Sequence, residues 1–251
     1  WVTMKPSWKP VDTLGLIRDP WVEPGEYEYS DSNNYLLGMV AELHAGKDLS
    51  VLYRERFLNP LDIAAVLIPD EPVPEGTARP YTDLAYWGGS GFGDMIEWDA
   101  IQYGKTPEAW HEQDARLSWA TAGIVSTPAN IARWGYELYS DNGSALSEQS
   151  RTILLNSIND ETISLSGLPQ QYGYYLAKRA FPLEDGTSLS VFGHPGGGAG
   201  YTSRVYYSPS LDMSISILAN SDLRYAQREA GCSEYGTADC IAWGLFKAYA
   251  Q

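Results

Sequence analysis

The stretch Gly193-His194-Pro195-Gly196-Gly197-Gly198-Ala199-Gly200-Tyr201 lies between two segments that resemble β-strands, Ser188 to Phe192 and Ser203 to Tyr207. Glycine lets a second backbone or a ligand approach a strand closely, because it carries no side chain. We therefore predict an antiparallel hairpin at this point, in which the glycines have either a functional or a purely structural role.

Two more segments, Tyr172 to Arg179 and Met213 to Leu218, have the period of a strand. Turn residues separate neighbouring strands at Asp185-Gly186 and at Ser208-Pro209-Ser210. Short connections of this kind join antiparallel neighbours, so these segments should form antiparallel hairpins.

Helical spacing of apolar residues predicts helices over Ser32 to Ala45, Leu49 to Leu58 and Thr237 to Tyr249. Two more helices are predicted to start at Thr127-Pro128 and near Ser147. In the last of these, Ile241, Leu245 and Tyr249 share one face. Between about residues 60 and 118 no period is sustained, and long irregular segments are often functional. The predicted class is α/β, with an antiparallel sheet flanked by helices and a helical and irregular subdomain.

The composition excludes several kinds of partner. The 17 Lys and Arg residues stand against 32 Asp and Glu residues, giving a net charge of −15. Nucleic-acid binding depends on clustered basic residues, so we expect no nucleic-acid partner. No apolar run approaches the ~20 residues that a membrane-spanning helix needs, so we expect no membrane span.

The two ends of the sequence suggest export and processing. Cys232 and Cys240 have neither CxxC spacing nor a nearby histidine pair, which favours a local disulfide of an exported protein over two free thiols. Residue 1 is Trp, so we expect that an upstream segment has been removed. His44, His111 and His194 are far apart in the sequence, and we predict neither a metal site nor a cofactor.

Three stretches together carry a resemblance to a known family. They are Pro24 to Gly38 (PGEYEYSDSNNYLLG), Ser118 to Pro128 (SWATAGIVSTP) and the glycine-rich stretch from Gly193 to Tyr201. Their order and spacing resemble the serine beta-lactamase and penicillin-binding superfamily, in particular class C beta-lactamases, D-alanyl-D-alanine carboxypeptidases and related esterases. The resemblance covers about Val11 to Ala248 and implies that residues 1–251 are the C-terminal major part of one beta-lactamase-like domain.

The resemblance assigns catalytic roles to Tyr29, Asp31 and His194. Tyr29 would be the phenol that shuttles a proton at the nucleophile and the leaving group. A phenol has a pKa of about 10, so its action as a base requires a nearby cation or a concerted transfer. The candidates for that cation are His194 and a lysine of the motif that carries the family's nucleophile. Asp31 stands where the family usually has Asn, and it would hold the catalytic lysine or cap the following helix.

The resemblance also implies substrate-binding roles for Trp119, Gly196 and Gly197. The Gly197 N–H would donate to the oxyanion, and Gly196 would let the substrate approach the strand. Trp119 would line the cleft, with a core tryptophan as the alternative. Pro195 and Gly197 stand where carboxypeptidases of this kind carry hydroxyl groups for a terminal carboxylate, which favours esters or other amides.

The family places its nucleophile in a Ser-x-x-Lys motif upstream of the tyrosine. No Ser or Thr in this sequence is followed three residues later by Lys. We therefore expect the nucleophile on a segment outside this chain, such as a separate N-terminal fragment or a part removed by truncation. The chain alone is then expected to be inactive.

The function predicted for the complete protein is a serine hydrolase that forms an acyl-enzyme, as an esterase, a carboxypeptidase or a beta-lactamase-like enzyme. Its partner would be a small-molecule or peptide substrate, and its location secreted or periplasmic. The main alternative is a non-catalytic beta-lactamase-like binding protein. A carbohydrate-binding module is a weaker alternative, suggested by the aromatic and acidic composition.

Overall fold

The structure is a computed structural model, and it describes residues 9–16, 23, 27–68, 70–78, 119–160, 162–165, 168–198, 201–220 and 237–250. The chain forms two compact units. The first contains the described residues up to Thr77 and residues 119–126, and the second contains Ala78 and the described residues from Thr127 onward.

The first unit is built from helices and a two-stranded sheet. Its elements are a 3-10 helix at Pro10–Leu16, α1 at Ser32–Ala45, α2 at Leu49–Tyr53 followed by a π-helical turn at Arg54–Leu58, β1 at Ala65–Leu67 and β2 at Ile124–Ser126. The two strands pair antiparallel. Helix α1 has the predicted bounds. It ends because Gly46 adopts a left-handed conformation (φ 64°) and its N–H donates to the Glu42 carbonyl at 2.8 Å.

The second unit contains a six-stranded antiparallel sheet with the strand order β3-β4-β5-β6-β7-β8. Its elements are α3 at Pro128–Tyr139, α4 at Glu148–Asn156, β3 at Thr162–Leu165, β4 at Leu168–Tyr172, β5 at Ala177–Pro182, β6 at Ser188–Gly198, β7 at Tyr201–Ser208, β8 at Met213–Ala219 and α5 at Thr237–Tyr249. Both predicted helix starts are confirmed, since the side chains of Thr127 and Ser147 accept hydrogen bonds from the first turns of α3 and α4.

The sheet is covered by helices on both faces. Successive residues of a strand point to opposite faces, so Tyr206 and Tyr207 of β7 mark the two sides. Tyr206 packs in a cluster with Phe246 of α5. Tyr207 packs in a second cluster with Tyr139 of α3. An antiparallel sheet flanked by helices is therefore confirmed.

One predicted strand is wrong. The pattern from Tyr172 to Arg179 is divided between β4, which ends at Tyr172, and β5, which begins at Ala177. The chain bends between them, with a hydrogen bond of 2.9 Å from the Gly173 N–H to the Leu176 carbonyl. Aromatic residues carry the strand-like pattern through this bend, so the pattern alone does not reveal it.

The apolar face noted on the C-terminal helix is its outer face. Ile241, Leu245 and Tyr249 are 46%, 42% and 68% exposed. The face of α5 that packs on the sheet carries Ala242 and Phe246. No helix in the described part of the chain has both the length and the hydropathy needed to cross a membrane.

Candidate active site

Tyr29 and Asp31 lie just before α1, in the first unit. Tyr29 is 37% exposed. The prediction that the Asp31 side chain caps α1 is wrong, because Asp31 has a helical backbone conformation and only its carbonyl group accepts bonds from the helix, from Asn34 at 3.0 Å and Tyr35 at 3.3 Å. Partial burial raises the pKa of the Asp31 carboxyl group above its usual value.

Trp119 is a core residue of the first unit, with 1% of its surface exposed. Its ring stacks on Tyr35 of α1 at a centroid distance of 6.2 Å. A Cβ atom on Gly38 would approach the Trp119 ring to 2.8 Å, so the absence of a side chain there makes room for it. The structure thus places Trp119 as the core alternative describes, and a role in lining a substrate cleft stays a prediction.

His194, Gly196 and Gly197 lie on β6 in the second unit, beside β7. The predicted hairpin is confirmed, and β6 extends through Gly198 rather than ending at Phe192. Gly193 is required by this packing, because a Cβ atom there would lie 1.9 Å from the Val205 carbonyl oxygen of β7.

The two substrate-binding glycines have different surroundings. A Cβ atom on Gly196 would meet the Ser203 hydroxyl oxygen at 2.1 Å. Gly197 is exposed, and a Cβ atom there would meet nothing within 4 Å. Open space therefore lies beside Gly197 but not beside Gly196. The approach of a substrate at Gly196 and the oxyanion role of the Gly197 N–H both stay predictions.

His194 contacts a residue that the sequence did not point to. Its Nε2 atom lies 2.6 Å from the hydroxyl oxygen of Tyr172, at the end of β4. Its Nδ1 atom lies 2.5 Å from the carbonyl oxygen of Pro195. The rings of Tyr172 and His194 meet edge to face at 5.6 Å. Both ring nitrogens of His194 are therefore engaged within the second unit.

The electrostatic surroundings of His194 disfavour a cation. Burial is the largest effect and lowers its pKa. The hydrogen bond with the Pro195 carbonyl raises the pKa in part, and the positive charges of Arg179 and Arg204 lower it by smaller amounts. The imidazole is consequently neutral near pH 7. This corrects the expectation that His194 supplies positive charge to a tyrosinate.

A buried charge cluster lies beneath this part of the sheet. Asp239 of α5 accepts hydrogen bonds from Arg179 at 2.6 Å and from Arg204 at 2.8 Å. Arg204 also donates to the carbonyl oxygen of Gly196 at 3.1 Å. Arg179 is buried in this cluster, with only 4% of its surface exposed. The cluster connects α5 to the backbone of the glycine motif.

The described residues contain no group of three or more His, Cys, Asp or Glu side chains placed to hold a metal ion. Cys232 lies outside the described residues, so its pairing with Cys240 stays a prediction.

The sequence matches the model of the family described as Beta-lactamase over residues 8–231. This chain belongs to the beta-lactamase family. The match includes Tyr29, Asp31, Trp119 and the glycine motif of β6. The predicted membership of the serine beta-lactamase and penicillin-binding superfamily is confirmed.

Solved structures with the same fold include several relatives of this beta-lactamase-family chain. The D-amino acid amidase from Ochrobactrum anthropi SV3 superposes with a TM-score of 0.67 at 20% identity, covering 98% of this chain and 66% of that one. The D-stereospecific amidohydrolase from Streptomyces sp. gives 0.62 at 20% identity, covering 86% and 58%. The octameric penicillin-binding protein homologue from Pyrococcus abyssi gives 0.54 at 18% identity, covering 97% and 49%. The chain thus spans between 49% and 66% of the length of these proteins.

Sequence reasoning missed two residues that are joined to the predicted site residues: Tyr172, which contacts His194, and Asp239, which is joined to Gly196 through Arg204. Nothing in the sequence near Tyr172 pairs it with His194, because the contact depends on the register of β4, β5 and β6. A signal for Asp239 does exist, since it is an acidic residue beside the buried positions Ala238 and Ala242 of α5. A buried acid needs a basic partner, so an acidic residue at position 239 predicts a buried basic residue beside it.

Proposed function

We propose that the complete protein is a serine hydrolase of the penicillin-recognising type, which acts through an acyl-enzyme on an ester or amide. The observation that carries this proposal is the family match, which includes both Tyr29 before α1 and the His194-Pro195-Gly196 motif on β6. Acyl transfer needs a nucleophile, a proton shuttle and oxyanion donors. Tyr29 is the candidate proton shuttle, and the Gly197 N–H is a candidate oxyanion donor.

The nucleophile in this proposal is a serine of a Ser-x-x-Lys segment outside the chain. Its oxygen attacks the substrate carbonyl carbon, the bond to the leaving amine or alcohol breaks, and Tyr29 passes the serine proton to that leaving group. Water then attacks the acyl-serine ester, releasing the acid and returning the proton to serine. Because His194 is neutral, the lysine of that segment is the remaining candidate for the cation near Tyr29.

The substrate class we propose is an amide or ester without a free carboxylate beside the scissile bond. Pro195 and Gly197 offer no hydroxyl group to hold such a carboxylate. The names of two structural relatives, a D-amino acid amidase and a D-stereospecific amidohydrolase, support D-amino acid amides as the first compounds to test.

The partner we propose is the segment that carries Ser-x-x-Lys, either as a separate fragment or as part of a longer chain. Two exposed apolar faces support it. One is on α1, where Leu36, Val40 and Leu43 are 41%, 60% and 86% exposed, and the other is the outer face of α5. Faces of this kind usually bind another part of a protein. A secreted or periplasmic location, with a disulfide between Cys232 and Cys240, belongs to the same proposal.

The test uses the complete protein and begins with its denaturing mass spectrum, which should reveal a polypeptide that contains Ser-x-x-Lys. Hydrolysis of D-phenylalanine amide, a nitrophenyl ester and a chromogenic cephalosporin is then measured for the wild type, Tyr29→Phe and Tyr174→Phe. Tyr174 is 69% exposed and serves as the matched control. We expect Tyr29→Phe to lower kcat by roughly 10²- to 10⁴-fold and Tyr174→Phe to leave it unchanged.

The alternative is a non-catalytic binding protein, which the lack of Ser-x-x-Lys in this sequence favours. Under that alternative the protein binds such compounds without turnover and no serine becomes acylated. A mass spectrum without an acyl adduct, together with wild-type rates equal to those of buffer, would rule out the hydrolase.

A further inference from the structure

The contact between His194 and the Pro195 carbonyl oxygen fixes where the neutral imidazole carries its proton. A carbonyl oxygen can only accept, so the 2.5 Å contact between Nδ1 and the Pro195 carbonyl oxygen requires a proton on Nδ1. A neutral imidazole has one N–H group, which leaves Nε2 as an acceptor. The Tyr172 hydroxyl group, 2.6 Å from Nε2, must then be the donor.

The charged groups around His194 favour the same neutral state. Arg179 of β5 and Arg204 of β7 act on it from the strands on either side of β6. Asp239 of α5, which binds both guanidinium groups, balances only one of their two charges. A second proton on the imidazole would place a further positive charge beside this cluster and would require the Tyr172 hydroxyl group to change from donor to acceptor.

We propose that Tyr172 is a positioning residue for the reaction, which holds His194 as a neutral imidazole protonated on Nδ1 by donating its hydroxyl proton to Nε2. His194 then takes no proton from the nucleophile, because its one lone pair for that purpose is occupied. Proton transfer falls to Tyr29, and His194 fixes the start of the glycine motif through Pro195. This inference deepens the proposed function and rests on it.

The test is nitrogen NMR of the complete protein labelled in its histidines. This chain contributes 3 histidines, and His194→Gln identifies the resonances of His194 by their loss. His44, which is exposed on α1, provides an internal reference. We expect the wild-type His194 to show a protonated Nδ1 and an unprotonated Nε2 near pH 7, and to titrate below the ordinary value of about 6.5.

Tyr172→Phe removes the donor and keeps the ring. We expect the pKa of His194 to rise by about one unit, a roughly tenfold change in its protonation constant that corresponds to one hydrogen bond. Tyr174→Phe should leave both the tautomer and the titration of His194 unchanged. A merely structural tyrosine would alter stability without moving this titration.

Several outcomes overturn the inference. A wild-type His194 protonated on Nε2, or one that titrates at or above its ordinary pKa, contradicts it even if Tyr172→Phe does not fold. An unchanged titration in folded Tyr172→Phe contradicts it as well. These spectra do not depend on turnover, so an inactive protein with the expected spectra refutes the proposed function, whereas an active hydrolase with an Nε2-protonated His194 refutes the role of Tyr172.

Discussion

Asp239 of α5 lies 2.6 Å from Arg179 of β5, and the two side chains are 0% and 3% exposed. The same carboxylate binds Arg204 of β7, whose side chain is 9% exposed. Two guanidinium groups are therefore held inside the second unit by one acid. A buried ion pair contributes little net free energy of folding. Removal of one partner destabilises the protein much more, because the remaining charge stays buried without a counter-charge.

Asp239→Asn should destabilise the protein by about 3 to 5 kcal/mol, because both buried arginines lose their counter-charge. Urea denaturation followed by circular dichroism measures this loss. Glu184→Gln is the matched control, since Glu184 pairs with Lys247 of α5 only at 3.9 Å and is 84% exposed. It should leave the urea midpoint unchanged, and an equal effect of the two substitutions would contradict the role of Asp239.

Arg204→Lys should loosen the glycine motif without removing positive charge. Lysine lacks the planar fork with which Arg204 reaches Asp239, the Gly196 carbonyl and the Ser203 carbonyl together. We expect amide hydrogen exchange in the peptide that contains Gly196 and Gly197 to become roughly tenfold faster. A β5 peptide around Phe181 should be unaffected, and uniform acceleration across the sheet would show that the effect is global.

Gly193→Ala should be strongly destabilising, because its Cβ atom would lie 1.9 Å from the Val205 carbonyl oxygen. Relief of the clash requires β6 and β7 to separate, and overpacking of this kind costs about 1 to 3 kcal/mol or more. Thermal unfolding provides the measurement. Gly197→Ala on the same strand is the control, since a Cβ atom there meets nothing within 4 Å, and a similar loss of Tm in both variants would contradict the described pairing.

His194 should make the folded state less stable as the pH falls. Its folded pKa is lowered, chiefly by burial, so below the unfolded value of about 6.5 the unfolded chain binds a proton that the folded protein does not. The free energy of unfolding begins to fall near pH 6.5, and this contribution stops growing once the pH is below the pKa of His194 in the folded protein. Urea midpoints measured from about pH 8 to about pH 5 should decline less steeply for His194→Gln than for the wild type. Parallel declines would show that His194 is not the group responsible.

Local signals allowed the helices to be predicted from the sequence. Gly46 and Thr127 act through hydrogen bonds to residues three or four positions away, so α1 and α3 begin or end where the sequence indicates. Strand β6 was predicted too short, because Pro195 and the glycines have little intrinsic preference for a strand. These residues are held in a strand by pairing with β7, which extends from Phe192 to Gly198.

The motif residues were found by resemblance, whereas their partners depend on tertiary structure. The Tyr172–His194 contact requires β4 and β6 to lie on either side of β5, and no short-range pattern encodes that placement. The charge state of His194 was misjudged for a related reason. Arg179 and Arg204 lie beside it only after the sheet has formed, and burial, the main cause of its lowered pKa, is a property of the folded unit.

The position of Asp239 in the sequence has a consequence for biosynthesis. Arg179 precedes it by 60 residues and Arg204 by 35, so a ribosome delivers both cations well before their shared acid. The sheet cannot bury the two guanidinium groups at low cost until α5 has emerged. The glycine motif is translated earlier than α5, so we expect it to acquire its final geometry only when α5 docks and Asp239 binds Arg204.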